Sequence, residues 1–230
     1  CALIAEKRGF LEQAVVFHCS GALASTILAP AKTGIAENGK ANQVRIGSLH
    51  PLQSFAAVQT TTAKNDNNPF DNIIMAVEGD PDAVALGRQI AADLGARPFT
   101  IRTEGKILYH AAAVVASNYL VTLMNLAIQL MSASGVSEKD AFEILSPLIQ
   151  GTLANIRSAG IPDALTGPIR RGDAGIVEKH IQAMEALPDQ KACEMADYYI
   201  RNGLETIKIA RAKGTLSKEA ADRLLRIFKT

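Results

Sequence analysis

Two separated clusters carry the residue types that move protons. Gly47-Ser48-Leu49-His50-Pro51-Leu52-Gln53 closes a strand-like run, and Lys106-Ile107-Leu108-Tyr109-His110 opens a long apolar helix farther along the chain. The imidazole of His50 gives or takes a proton near neutral pH. Pro51 interrupts a regular ladder and turns the backbone at the sheet edge, and Gln53 is a neutral hydrogen-bonding neighbour. Lys106 and His110 are four apart and share a helix face, which Ser117 and Asn118 continue. Ligands of open α/β sheets bind at the carboxyl ends of strands, so the two clusters could serve one cleft between two domains. The competing readings are a structural histidine fixing the turn, and a solvated lysine with a core histidine below it.

Ser20-Gly21-Ala22 is a third candidate, at the end of the strand Ala14 to Cys19. Glycine lets backbone approach a ligand closely, and the serine hydroxyl and the following amides can donate at a helix start. A plain serine cap with a tight turn explains the same residues. His18, inside the strand, reads as packed or hydrogen-bonded rather than reactive. Arg170 and Arg171 could hold a carboxylate or phosphate, although adjacent surface arginines are usually only solvated. His180 shows no partner that suggests catalysis. The histidines and cysteines never cluster at metal-ligand spacing, so no metal is expected.

Periodicity supplies the elements that position these groups. Helix is expected over Ala2 to Leu11, Leu23 to Thr33 and Asp82 to Leu94, and strand over Ala14 to Cys19, Gln43 to Leu49, Asn72 to Glu78 and Arg97 to Arg102. This alternation means a largely parallel sheet. From Glu104 strands vanish, and helices are expected over Gly105 to Ser134, Glu138 to Gln150, Thr152 to Ala159, Asp173 to Ala186, Asp189 to Lys213 and Lys218 to Phe228. Ser137 and Ser217 read as N-caps. The first of these helices, at ~1.5 Å per residue, runs some 45 Å. The expectation is therefore an α/β domain over 1–103 and an all-helical domain over 104–230.

Composition narrows the partners. The chain has 230 residues, 48% hydrophobic and 20% charged, with net charge +1, and no Lys/Arg block. There is no electrostatic footprint for nucleic acid or an anionic membrane, so a small-molecule substrate is favoured. Three cysteines without C-x-x-C spacing argue against a disulfide scaffold, and a cytoplasmic setting follows. Polar residues interrupt Ala111 to Met131, which reads as a buried helix of a soluble protein rather than a membrane span. The opening Cys-Ala-Leu-Ile-Ala-Glu-Lys-Arg, without an initiator Met, reads as the interior of a helix in a truncated chain.

His18-Cys19-Ser20-Gly21-Ala22-Leu23, Gly47 to Gln53, Lys106 through Leu120 and Gly167 to Asp173 together resemble a group of uncharacterised oxidoreductase-like proteins. In that group a Rossmann-type domain precedes a helical domain of unknown function, similar to the C-terminal domain of 6-phosphogluconate dehydrogenase. The resemblance implies an incomplete Rossmann-type parallel sheet followed by such a helical domain, a homodimer, and NADP or NAD as cofactor. No G-x-G-x-x-G occurs in the sequence, so the main binding motif of that cofactor is expected to be missing. It also implies that Ser20, Gly21 and Ala22 lie beside the nicotinamide, and that the His50-Pro51 pair, as in prephenate dehydrogenases, is on the substrate side. In β-hydroxyacid dehydrogenase relatives a lysine at the start of the interdomain helix is the acid/base and an amide or imidazole one turn later orients substrate. Lys106 and His110 fit these roles, with His where several relatives have Asn.

The reading is an NAD(P)-dependent oxidoreductase that passes hydride to or from a small keto, hydroxy or imino compound at an interdomain cleft. Lys106, His110 and His50 are catalytic, and Pro51, Gln53, Ser117 and Asn118 bind substrate. The alternatives are a non-catalytic nucleotide-binding or regulatory protein, and a homodimerisation module with a vestigial cleft.

Overall fold

The computed structural model describes residues 1–6, 10–11, 13–33, 43–55, 68–188 and 192–229. Two compact units divide between Val121 and Thr122, inside one long helix.

The first unit is an α/β layer. Helix α1 (Ala2–Glu6) precedes β1 (Val15–His18), a 3₁₀ helix (Ser25–Thr33), β2 (Arg45–Leu52), β3 (Ile74–Gly79), α2 (Pro81–Asp93) and β4 (Arg97–Thr100). The strands lie in sequence order in one sheet. β1 with β2 and β3 with β4 are parallel, whereas β2 with β3 is antiparallel, a departure from a wholly parallel sheet. Leu52 at the end of β2 pairs with Ile74 at the start of β3, so the chain re-enters the sheet where it left. Parallel pairing would need a crossover to the other end.

One sheet face packs under α2. Leu49, Met75 and Val77 meet Ala91 and Ala96, with Phe17, Val84 and Ile90 against them. Fully burying side chains of this size is worth about 1.5–3 kcal/mol each. Gly47 and Gly87 both lie against the Phe17 ring, so small residues let the helix close on the sheet. Gly79 has φ +136, and an added Cβ would strike the backbone of Ile46; only glycine suits that strand end. On the other face the 3₁₀ helix brings Leu28 and Ala31 against Val44 and Ile46.

Two local expectations change here. The helix expected over Leu23 to Thr33 is 3₁₀, and it contains Pro30, which lacks a donor for a regular α-helix. β2 does not stop at Pro51 but continues to Leu52. Pairing with β1 ends at Ser48, so among the described residues His50 and Pro51 have only β3 beside them, and an edge position tolerates proline.

After a short 3₁₀ turn (Thr103–Gly105), α3 (Lys106–Ala133) carries the chain into the second unit, followed by α4 (Glu138–Ala159), α5 (Ile161–Ala164), α6 (Gly167–Arg171), α7 (Ala174–Glu185), α8 (Ala192–Ala212) and α9 (Lys218–Ile227). Where two helices were expected over Glu138 to Ala159, one runs through both Pro147 and Gly151. The start of the helix expected at Asp189 lies outside the described residues until Ala192. Side chains of Ser137, Asp173 and Ser217 accept the backbone N–H of Asp140, Ile176 and Ala220, each cap worth about 1 kcal/mol. The core gathers Val177 and Ile181 of α7, Ile207 and Ala210 of α8, and Ala221 and Leu224 of α9, with Phe228.

Helix α3 is not the buried helix that its composition suggested. Lys106 is the one residue of α3 that is buried, and Val115, Tyr119 and Val121 are exposed. By length and composition Thr103–Ala133 passes the test for a membrane-crossing helix. Phe142, Leu148 and Leu153 of α4 are also exposed.

Candidate functional site

Strand register builds the site. His18, Ser48 and Glu78 are successive partners across β1, β2 and β3, and His50, two residues after Ser48, shares its face. The first turns of α3 add Lys106, Tyr109 and His110, at helical spacing for one side of the helix.

Ser48, Glu78 and Lys106 are all buried. Lys106 Nζ donates to Ser48 Oγ at 2.6 Å and lies 4.0 Å from Glu78 Oε1. Glu78 also accepts from Ser25, the N–H on Oε1 and the hydroxyl on Oε2, both at 2.8 Å. Burial lowers the Lys106 ammonium below its usual range, and the charge of Glu78, then of Cys19, acts against that fall.

In front of this cluster His50 Nδ1 is 2.7 Å from the Tyr109 hydroxyl, with the rings edge to face. Burial, then the charge of Lys106, then His110 hold His50 below the ordinary imidazole range, and burial pushes the Tyr109 phenol up to about 12. The pair is thus a neutral imidazole and a neutral phenol at pH 7. One hydrogen bond joins them, donated either by the phenol or by Nδ1–H.

The pair opens on a cavity of about 600 Å³, whose polar wall includes His50, Gln53, Tyr109, His110, Ser117 and Asn118. Phe99 and alanines of α3 supply the apolar wall. A volume of this size suits a small organic ligand held by a few polar groups. His110 Nδ1 is buried without a hydrogen-bond partner among the described residues, so the site has unspent polar capacity.

The sequence-derived candidates thus fall into three places. His50, His110, Gln53, Ser117 and Asn118 share the cavity. Lys106 stands behind it, directed at Ser48 and Glu78, and neither Lys106 nor Pro51 belongs to the wall. Ser20, Gly21 and Ala22 form a turn at the end of β1: Ser20 N–H donates to His18 Nδ1 at 3.1 Å, and Ser20 Oγ accepts from Ala22 and Leu23 N–H. A Cβ on Gly21 would lie 2.7 Å from His50 Nε2 and 2.8 Å from His110 Nδ1, so the missing side chain makes room for these two imidazoles.

Glu78, Ser25 and Tyr109 were not among the candidates. A glutamate ending the apolar run Ile73 to Val77 was the available signal for Glu78, because a strand interior position seldom carries a charge without a partner. For Tyr109 the signal was its place one turn from Lys106. In the second unit His180 does have a partner, with Nδ1 2.9 Å from the Tyr199 hydroxyl.

This polar set can give, take or hold a proton at the wall of a small cavity, through an imidazole–phenol pair and an unpartnered ring nitrogen. It does not provide a phosphate cradle, because Ser20 Oγ and the Ala22 amide are engaged with each other.

The family model for a domain of unknown function, DUF2520, matches residues 73–206. Among solved structures, protein TM1727 from Thermotoga maritima is similar at 28% identity and TM-score 0.65, over 87% of this chain and 70% of that one. A candidate NADP oxidoreductase, BF3122 from Bacteroides fragilis, is similar in fold at 22% identity and TM-score 0.64, over 90% of this chain and 72% of that one. No curated protein matches. The fold is Rossmann-like, an α/β domain followed by helices.

Proposed function

The chain belongs to the DUF2520 family, and from that premise we propose that it serves an NADP- or NAD-dependent oxidoreductase acting on a small keto, hydroxy or imino compound. The observation that carries this reading is the His50–Tyr109 pair, joined at 2.7 Å on the wall of the cavity. The fold likeness to a candidate NADP oxidoreductase supports the cofactor class.

The nicotinamide, when bound, supplies or accepts the hydride. This chain's residues manage the proton and the pose. Tyr109 O–H hydrogen-bonds the substrate oxygen or nitrogen, and His50 Nδ1 holds or replaces the phenol proton, a positioned acid/base pair of the kind that accelerates such steps. His110, Gln53, Ser117 and Asn118 orient the substrate, and Phe99 with the alanines of α3 keeps water from it. Lys106 acts from behind as a fixed charge rather than by touching the ligand, because it is 1% exposed and directed at Ser48. Ser20, Gly21 and Ala22 shape the wall through the space Gly21 leaves for the imidazoles.

A homodimer completes the reading. Val121 of α3 and Leu148 of α4 are each 68% exposed, and large exposed apolar faces mark association surfaces. The same observation favours the second reading, a dimerisation module whose cavity is vestigial. Calorimetric titration of NADPH and NADH into the intact protein, followed by a screen of small carbonyl and imino compounds, separates the two. Saturable nucleotide binding with turnover lost in Tyr109→Phe supports the enzyme; no binding of either nucleotide overturns it.

A further inference from the structure

Glu78 is the group in this unit that packing alone does not require. It is 1% exposed, and it occupies a strand position where valine or isoleucine would fill the space without desolvating a charge. A buried ion pair is weak evidence for stability, since hydrophobic replacements often serve as well, whereas a buried charge that has lost its partner is strongly unfavourable.

Three elements converge on it. The 3₁₀ helix contributes both Ser25 donors at 2.8 Å, β2 contributes Ser48 in register opposite, and α3 contributes Lys106 at 4.0 Å. From Lys106 the arrangement continues to the cavity by two routes. Along α3, its Nζ lies 5.8 Å from the centre of the Tyr109 ring. Along β2, the Ser48 hydroxyl it grips is two residues from His50. We propose that Glu78 is a positioning residue: it anchors Lys106 as a cation behind the cavity, and the proton state of the His50–Tyr109 pair depends on that anchor.

The groups around the cation are Glu78 from β3, Ser48 from β2, Cys19 after β1 and Tyr109 on α3 itself; those around His50 are Tyr109, His110 and Lys106. A buried ammonium deprived of its anion holds its proton less firmly. Removing the Glu78 charge therefore lowers the charge at Lys106, and with it one of the forces that keep His50 unprotonated. Glu78 touches neither cavity nor ligand and acts entirely through Lys106.

This inference rests on reading the cavity as a site of proton handling, but its test needs no nucleotide. The imidazole resonances of His50 are followed against pH by NMR in the wild type, Glu78→Gln and Lys106→Gln. The expected result is an upward shift of the His50 midpoint in both variants. A midpoint unmoved in either folded variant, or one that falls in Glu78→Gln, overturns the proposal. Should Glu78→Gln fail to fold, the double variant Glu78→Gln with Lys106→Gln, which leaves no unpaired buried charge, gives the decision: a rise supports the anchored cation and an unmoved midpoint overturns it. Absence of nucleotide binding would sink the oxidoreductase reading and leave this shift in place.

Discussion

Ser48 and Glu78 face each other across the antiparallel β2–β3 pair, so the hydroxyl and the carboxylate that receive Lys106 stand side by side on one face of the sheet. In this register the strand-end glutamate becomes a partner for the first residue of α3.

Breaking that arrangement from one side strands a buried charge. Lys106→Met is expected to lower unfolding free energy by about 3–5 kcal/mol, and Lys106→Met with Glu78→Leu to recover much of the loss. Urea denaturation of the two single variants and the double variant checks this as a mutant cycle. Strict additivity would show that the two side chains do not interact.

Acid sensitivity follows from His50. Burial, with Lys106 and His110, holds its folded-state pKa below 6.5, so the unfolded chain binds that proton more readily. Its share of stability is present above about 6.5 and is lost as pH falls through the lower folded value. The stability advantage of wild type over His50→Gln should therefore shrink on acidification through this window. An advantage that stays constant would mean His50 titrates alike in the folded and unfolded chain.

The phenol gives the opposite sign. With Tyr109 raised from 10.0 to about 12 by burial, its share of stability is present below pH 10 and is lost as pH rises toward 12. Burial raises the Tyr199 phenol as well, so ultraviolet titration should show late tyrosine ionisation from both groups, and Tyr109→Phe should remove the Tyr109 share of it.

Gly21→Ala places a methyl 2.7 Å from His50 Nε2 and 2.8 Å from His110 Nδ1. Overpacking of this kind costs about 1–3 kcal/mol. Thermal melts should show a folded, mildly destabilised protein, and the imidazole resonances of His50 and His110 should both move. Unmoved resonances would place the two rings elsewhere.

The exposed apolar side chains of α3 and α4 predict self-association. Sedimentation should find a dimer for the wild type and a monomer for Leu148→Glu, which sets a charge among the exposed apolar side chains of α4. A wild-type monomer at micromolar concentration would remove the dimer from the account.

Legibility in the sequence followed the strength of the local signal. Ser137 and Ser217 announce α4 and α9, because caps act within one turn. His110, Ser117 and Asn118 were legible together because the helix period puts them on one face, whereas Gln53 reaches the same cavity from just past the end of β2. The β2–β3 orientation was not legible, since alternation within a strand says nothing about its neighbour's direction. Nor were the partners of His180 and Glu78, which come from other elements. Helix α3 misled by composition: a largely apolar helix states that something covers it, and not whether that cover belongs to the same chain.

The most direct test of the central claim is an NADPH titration of the intact protein followed through the imidazole resonances of His50 and His110. The account predicts saturable binding that perturbs both rings, as the reactive end of the nucleotide enters the cavity they line. Absence of binding, or binding that leaves both rings untouched, would contradict it.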